Sequence, residues 1–236
     1  MIGLLDRTLG GWKSDVHLQP APPAVTTEPR GGTYFIEKKG LQQATIILGH
    51  LGPARHGPDH YALIPMNYIL GTGGFNSRLM RELRSNRGLT YGVDGGVSEG
   101  IIRGILDVEM TTSNENAALA VETARKLLAD FGAGTIAPEE RQVAFNYLEN
   151  SFVFKFNSTG QVLSQTIVKK LQGYPETYWA TYPDKIRGVT DDQMLAAARR
   201  YIHPDQLVVL IVGDKEKLAE QLKKLGRCTE LPFPKT

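Results

Sequence analysis

Apolar and polar positions change period several times along the chain, and each change marks an element. Leu4, Leu5, Leu9 and Trp12 sit at loose helical spacing. Pro20, Pro22, Pro23 and Pro29 then crowd a stretch that predicts extended connecting chain. Tyr34 to Lys38 and Gln43 to His50 read as two paired strands, with Lys39-Gly40 near the turn and with Ala44, Ile46 and Leu48 on one face. Asp59 is a suitable N-cap for a helix over 60–70, where Leu63, Met66, Asn67 and Leu70 recur at helical spacing. A glycine-rich loop, Gly71-Thr72-Gly73-Gly74, leads into a short arginine-bearing helix that Gly88 stops. Strands resume over Thr90–Ser98 and Ile101–Thr111, joined by Glu99-Gly100. In the second, Ile102, Leu106, Val108 and Met110 point one way and Arg103, Asp107 and Glu109 the other.

The next ninety or so residues switch to helical spacing. Ala117, Ala120, Val121, Ala124, Leu127, Leu128 and Phe131 form one apolar stripe, closed by Gly132 and Gly134. Pro138-Glu139-Glu140 opens another helix. Ser158 with Gln161 and Thr190 with Gln193 have capping-box spacing. Gly173-Tyr174-Pro175 and His203-Pro204 are helix stops. Leu207 to Val212 is a continuous apolar run, predicting a strand buried on both faces, and a last helix follows over 215–225. This order predicts an α+β fold: a largely antiparallel or mixed sheet of about five to six strands, with helices packed on one face. Residues 1–32 read as a linker and residues 33–236 as the structured domain.

Composition narrows the function classes. The 236 residues carry 41% hydrophobic and 22% charged side chains, ordinary for a globular protein with a sizeable core. A net charge of +2 argues against a general nucleic-acid-binding surface. Cys228 is the sole cysteine, which excludes an internal disulfide framework and a multi-cysteine metal site and suits cytoplasm and periplasm equally. No apolar run reaches the ~18–20 residues of a membrane span, and the first five residues lack the features of a signal peptide.

Three stretches could carry chemistry. His56-Gly57-Pro58-Asp59-His60 approximates an inverted zinc motif with Asp in place of Glu, but Gly57-Pro58 separates the histidines that must share a helical face. A surface loop is the simpler reading. The Gly71–Gly74 loop lacks the Gly-Lys-Ser/Thr of a P-loop and follows a helix rather than a strand. It reads as an interhelical turn, or as a mobile loop that lets a substrate approach the backbone at Gly73 and Gly74. Arg78, Arg81, Arg84 and Arg87 form a drifting stripe that suits a solvated helix face. Spacing alone does not single out Arg84, or Tyr91 in the strand beyond Gly88.

The order of residues does. Tyr61-Ala62-Leu63, Asn67 through Gly71, Ser77-Arg78-Leu79, Glu82-Leu83-Arg84 and Arg87-Gly88-Leu89-Thr90-Tyr91 together resemble the pitrilysin/insulinase family of zinc metallopeptidases. That family includes insulin-degrading enzyme and mitochondrial processing peptidase. The resemblance extends more loosely from Tyr34 to Asp214. It implies two kinds of domain: one with an inverted zinc motif, and a facing metal-free one whose arginine and tyrosine hold the substrate backbone. Arg84 and Tyr91, seven residues apart, match that pair, and the zinc motif has no match outside His56–His60.

The resemblance therefore implies an inactive, substrate-gripping domain that is not catalytic on its own. It implies no cofactor in this chain, zinc in a partner domain or subunit, and a peptide as substrate. A homodimer is compatible with it, as is a C-terminal domain of a longer subunit. A purely structural role, as in the core proteins of the respiratory cytochrome bc complex, is the alternative.

Overall fold

A computed structural model describes residues 2–13 and 31–233. Helix α1 (Ile2–Leu9) precedes the expected proline linker, most of which lies outside the described residues. The rest alternates strands and helices: β1 (Gly32–Glu37), β2 (Gln43–Leu51), α2 (His60–Asn67), α3 (Arg78–Met80), β3 (Thr90–Ser98), β4 (Ile105–Ser113), α4 (Ala117–Ala133), α5 (Pro138–Phe152), α6 (Thr159–Leu171), α7 (Tyr178–Arg187), α8 (Asp191–Tyr201), β5 (Val208–Gly213), α9 (Lys215–Lys224) and β6 (Cys228–Leu231).

The six strands form one mixed sheet in the order β3-β4-β2-β5-β1-β6. The helices after α1 form the layer on one face. Period-two alternation sends Phe35, Ala44, Ile46, Leu48, Leu106, Val108 and Met110 to that face, where all are buried. Asp94, Asp107 and Glu109 lie on the other face, with Glu109 directly opposite Asp94 across the β3–β4 ladder. Burial, then the charges of Asp94 and Glu109, push the Asp107 carboxyl above its ordinary value.

Three strand expectations are corrected. β4 starts at Ile105 rather than Ile101, because the Gly100 and Gly104 amides both donate to Pro53 O and hold residues 101–104 in a loop that leaves Ile102 outside the strand. β1 and β2 do not pair with each other. β5 lies between them, parallel to β1 and antiparallel to β2. The five-residue link 38–42 is long enough to cross two inter-strand spacings. It turns at Gly40 (φ +80°), whose N–H donates to Asp214 Oδ2 at 2.8 Å. Asp214 also caps α9 through the Glu216 and Lys217 amides, so one carboxylate ties the link to the end of β5. Nor is β5 buried on both faces. Val209 and Ile211 are fully buried, whereas Val208, Leu210 and Val212 are half-buried, because the helices shield one face alone. The last strand, β6, is too short to have shown in the pattern.

Helix ends follow the sequence closely, with Ser158 and Thr190 both accepting from the amide three residues on. Asp59 is an exception. It makes no capping hydrogen bond to α2, and its Oδ2 accepts from Arg200 Nη1 at 2.6 Å. Nor does the helix run evenly to residue 70. After Asn67 it widens into a π turn over Tyr68–Thr72. That turn lies tight against the sheet: a Cβ on Gly71 would sit 2.1 Å from the Gly95 carbonyl oxygen of β3. Asn67 fastens the same junction, its amide donating to Val97 O and accepting from Val97 N, both at 2.8 Å.

Gly71 is accordingly a packing requirement. Gly71→Ala forces backbone apart at the β3 junction, at a cost of about 2–3 kcal/mol. Its thermal midpoint should fall by about 5–10 °C in a melting experiment.

Candidate functional site

The stretch from Ser77 to Val93 builds a groove at one end of the sheet. Ser77, fully buried, starts α3: its Oγ accepts from Met80 N and donates to Gly74 O. The helix then widens into a second π turn over Arg81–Asn86. Wide turns of this kind advance less per residue than an α-helix and recur at functional sites. Gly88 (φ +62°) ends it, with Leu89 N donating to Leu83 O at 2.7 Å. The chain enters β3 directly.

The four arginines have different fates. Arg78 and Arg81 both bind Glu140 of α5, each through an Nη2 contact of 2.6 Å. Arg78 is no member of a solvated face: it is largely buried, donates to Thr135 O and lies over the Phe131 ring. Arg87 Nε donates to Glu82 at 2.6 Å. Arg84 alone of the four has no carboxylate partner among the described residues. Its guanidinium lies 4.5 Å from the centre of the Phe75 ring. The wide turn helps explain the difference, since it swings Arg84 away from the α5 side that Arg78 and Arg81 face.

Arg84 opens onto a groove of about 410 Å³ lined also by Gln43, Gly88, Tyr91 and Thr111 to Ser113. Tyr91 is 81% exposed, although it belongs to a strand. The structure thus brings Arg84 and Tyr91 to one cavity. It does not bring Gly73 or Gly74 there. A Cβ on Gly73 would lie 2.5 Å from Tyr68 O, so that residue is packed against its own π turn, and Gly74 faces open space beside it. The glycine loop reaches the site through Phe75, under Arg84. Phe75 went unnoticed in the sequence because an aromatic beside glycines carries no periodic signal. Glu140 went unnoticed because it is far from the arginines in the chain.

Glu140 organises this end of the molecule. Burial alone would raise its carboxyl, but hydrogen bonds from Arg78 and Arg81, the Arg78 charge and the Ala137 amide outweigh that and hold it at about 2.

The histidine loop is occupied otherwise. His60 Nδ1 contacts Glu99, and its Nε2 lies 2.9 Å from the Tyr178 hydroxyl. His56 Nε2 lies 2.8 Å from Gln172 O. With Asp59 on Arg200, the three residues of the approximate zinc motif point to three different partners, an arrangement that does not fit a shared metal ion. Among the described residues, no group of three or more His, Cys, Asp or Glu is placed to hold one.

Residues 1–148 match the family model described as the peptidase M16 inactive domain. The chain belongs to the peptidase M16 inactive-domain family. It is 27% identical over 221 residues to an uncharacterized zinc protease of Streptomyces coelicolor, covering 90% of this chain and 46% of that protein. The crystal structure of a peptidase M16 inactive domain from Pseudomonas fluorescens superposes with a TM-score of 0.74 at 28% identity, over 80% of this chain and 45% of that one. A chain of complex III2 from Candida albicans shares the fold at 13% identity and a TM-score of 0.65, over 85% of this chain and 50% of that one. The chain thus spans about half the length of these proteins. Membership agrees with the resemblance carried by the Ser77–Tyr91 stretch, and the M16 fold accounts for the mixed sheet covered on one face.

The Glu140 cluster makes a pH-dependent contribution with a defined sign. A carboxyl held low in the folded state stabilises it above the ordinary value near 4.5 and loses that contribution as pH falls toward about 2. Glu140→Gln should lower the thermal midpoint at pH 7. It should also flatten the loss of stability between those two values, as followed by melting curves across the acid range.

Proposed function

We propose that this chain is the substrate-gripping, non-catalytic domain of a zinc metallopeptidase whose metal site belongs to a partner domain or subunit. The observation that carries this reading is the fate of Arg84: it alone of the four arginines has no carboxylate partner among the described residues, and it faces the same groove as the exposed Tyr91. An unpaired guanidinium and a phenol hydroxyl converging on one groove offer donors and no charged acceptor, which suits the carbonyls of an extended peptide. Residues 1–32 connect this domain to the rest of the assembly.

Arg84 donates charge-assisted hydrogen bonds to one peptide carbonyl. The Phe75 ring beneath its guanidinium holds the group in place, so less side-chain freedom is lost on binding. Tyr91 donates its hydroxyl to a second carbonyl near the scissile bond, where developing negative charge strengthens the bond. A zinc ion held by the partner would supply the Lewis acid that activates water. The glycine loop takes part through Phe75, which backs Arg84, rather than through Gly73 or Gly74.

Each hydrogen bond to a charged or polarised group contributes about 1.5–3 kcal/mol. Arg84→Ala and Tyr91→Phe should each lower kcat/KM by about ten- to hundredfold. The measurement is cleavage of a quenched fluorescent peptide by this chain mixed with a zinc-bearing half, with both variants retaining the wild-type thermal midpoint. Full turnover in both variants would remove the assigned role. Stable assembly without cleavage in any mixture would favour a purely structural subunit.

A further inference from the structure

Tyr91 should not reach the groove at all. Along β3, Val93, Gly95 and Val97 share the parity of Tyr91 and are buried against the helices. Were the ladder regular from Val93↔Met110 back toward the strand's start, Tyr91 would stand opposite Thr112, whose side chain is 1% exposed on the core face. The register shifts instead. Thr90 pairs with Thr112, and Val93 with Met110, so Tyr91 and Gly92 together oppose Thr111. This is a β-bulge, which re-aims side chains beside it. Thr90 takes the core position, and Tyr91 turns out to the groove.

The bulge is held by a side chain. Thr90 Oγ1 accepts from Gly92 N at 3.1 Å and lies 2.7 Å from both Gly92 O and Thr111 O, to either of which it can donate its single proton. Behind it, Thr112 Oγ1 donates to Leu89 O at 2.5 Å. The small size of Gly92 does not set this geometry, because a Cβ there would meet nothing within 4 Å.

We propose that Thr90 is a positioning residue whose hydroxyl fixes the bulge and thereby moves Tyr91 from the core parity of β3 into the groove. The consequence for binding rests on the peptide-gripping reading above; the consequence for the backbone does not.

The test uses the full chain carrying Thr90→Val, which keeps the branched shape and removes the hydroxyl, and Thr90→Ser, which restores the hydroxyl. Two readouts are taken: hydrogen exchange of the Gly92 amide by NMR, and anisotropy of fluorescein-labelled oxidised insulin B chain as an extended-peptide probe. Thr90→Val should speed Gly92 exchange by about tenfold and weaken probe binding about as much as Tyr91→Phe does, and Thr90→Ser should restore both. In the Thr90→Val/Tyr91→Phe double variant, probe binding should fall no further than in Tyr91→Phe alone. Additive losses would show that Thr90 acts on general stability, and wild-type exchange in Thr90→Val would show that the hydroxyl does not hold the bulge. Either result overturns the proposal. Failure of the wild-type chain to bind the probe would overturn the gripping role, and Gly92 exchange would still decide whether Thr90 sets the bulge.

Discussion

The structure depends on a sheet covered on one side. With helices packed on a single face, each strand residue has two destinations, the core or the open side, and the parity of the strand decides between them. Core parity is strictly used: Ala44, Ile46 and Leu48 on β2 and Leu106, Val108 and Met110 on β4 are all essentially inaccessible. Burial of so many large apolar side chains fixes the register of the ladder. Any residue that needs to leave its assigned side therefore needs a local device, and β3 has one at its first residues.

The same economy applies to charge. Arg78, Arg81 and Arg87 are satisfied within the molecule by Glu140 and Glu82, contacts that stabilise the site's walls. Arg84 is oriented without being neutralised, because an aromatic face attracts a guanidinium without competing for its hydrogen-bond donors. A carboxylate at the position of Phe75 would hold the side chain equally well and occupy the donors. The choice of ring over acid is what leaves a cation available in the groove.

Much of this was legible in the sequence, and the rest was hidden for identifiable reasons. Period-two alternation located β2 and, apart from its start, β4, and capping residues located α6 and α8, because both signals are local. The insertion of β5 between β1 and β2 was not visible, since strand order is set by pairing across nearly the whole chain. Neither π turn was visible, because a single widened turn hardly alters helical spacing. Tyr91 was found by resemblance while its exposure was not foreseen. Gly92 inside a strand was the available sign of a bulge. Composition could not reveal that Arg84 differs from its three neighbours, as that depends on where α5 packs.

Asn67 has a further consequence. Its side-chain amide presents one donor and one acceptor to Val97, as the backbone of a neighbouring strand would. It occupies the outer edge of β3 at that point, where an unpaired strand would recruit another chain. The opposite edge is limited to the four residues of β6. A domain read as a holder of extended polypeptide must admit such chains at one groove while refusing them along its sheet margins. One asparagine and one short strand thus blunt the two margins of the sheet at these places.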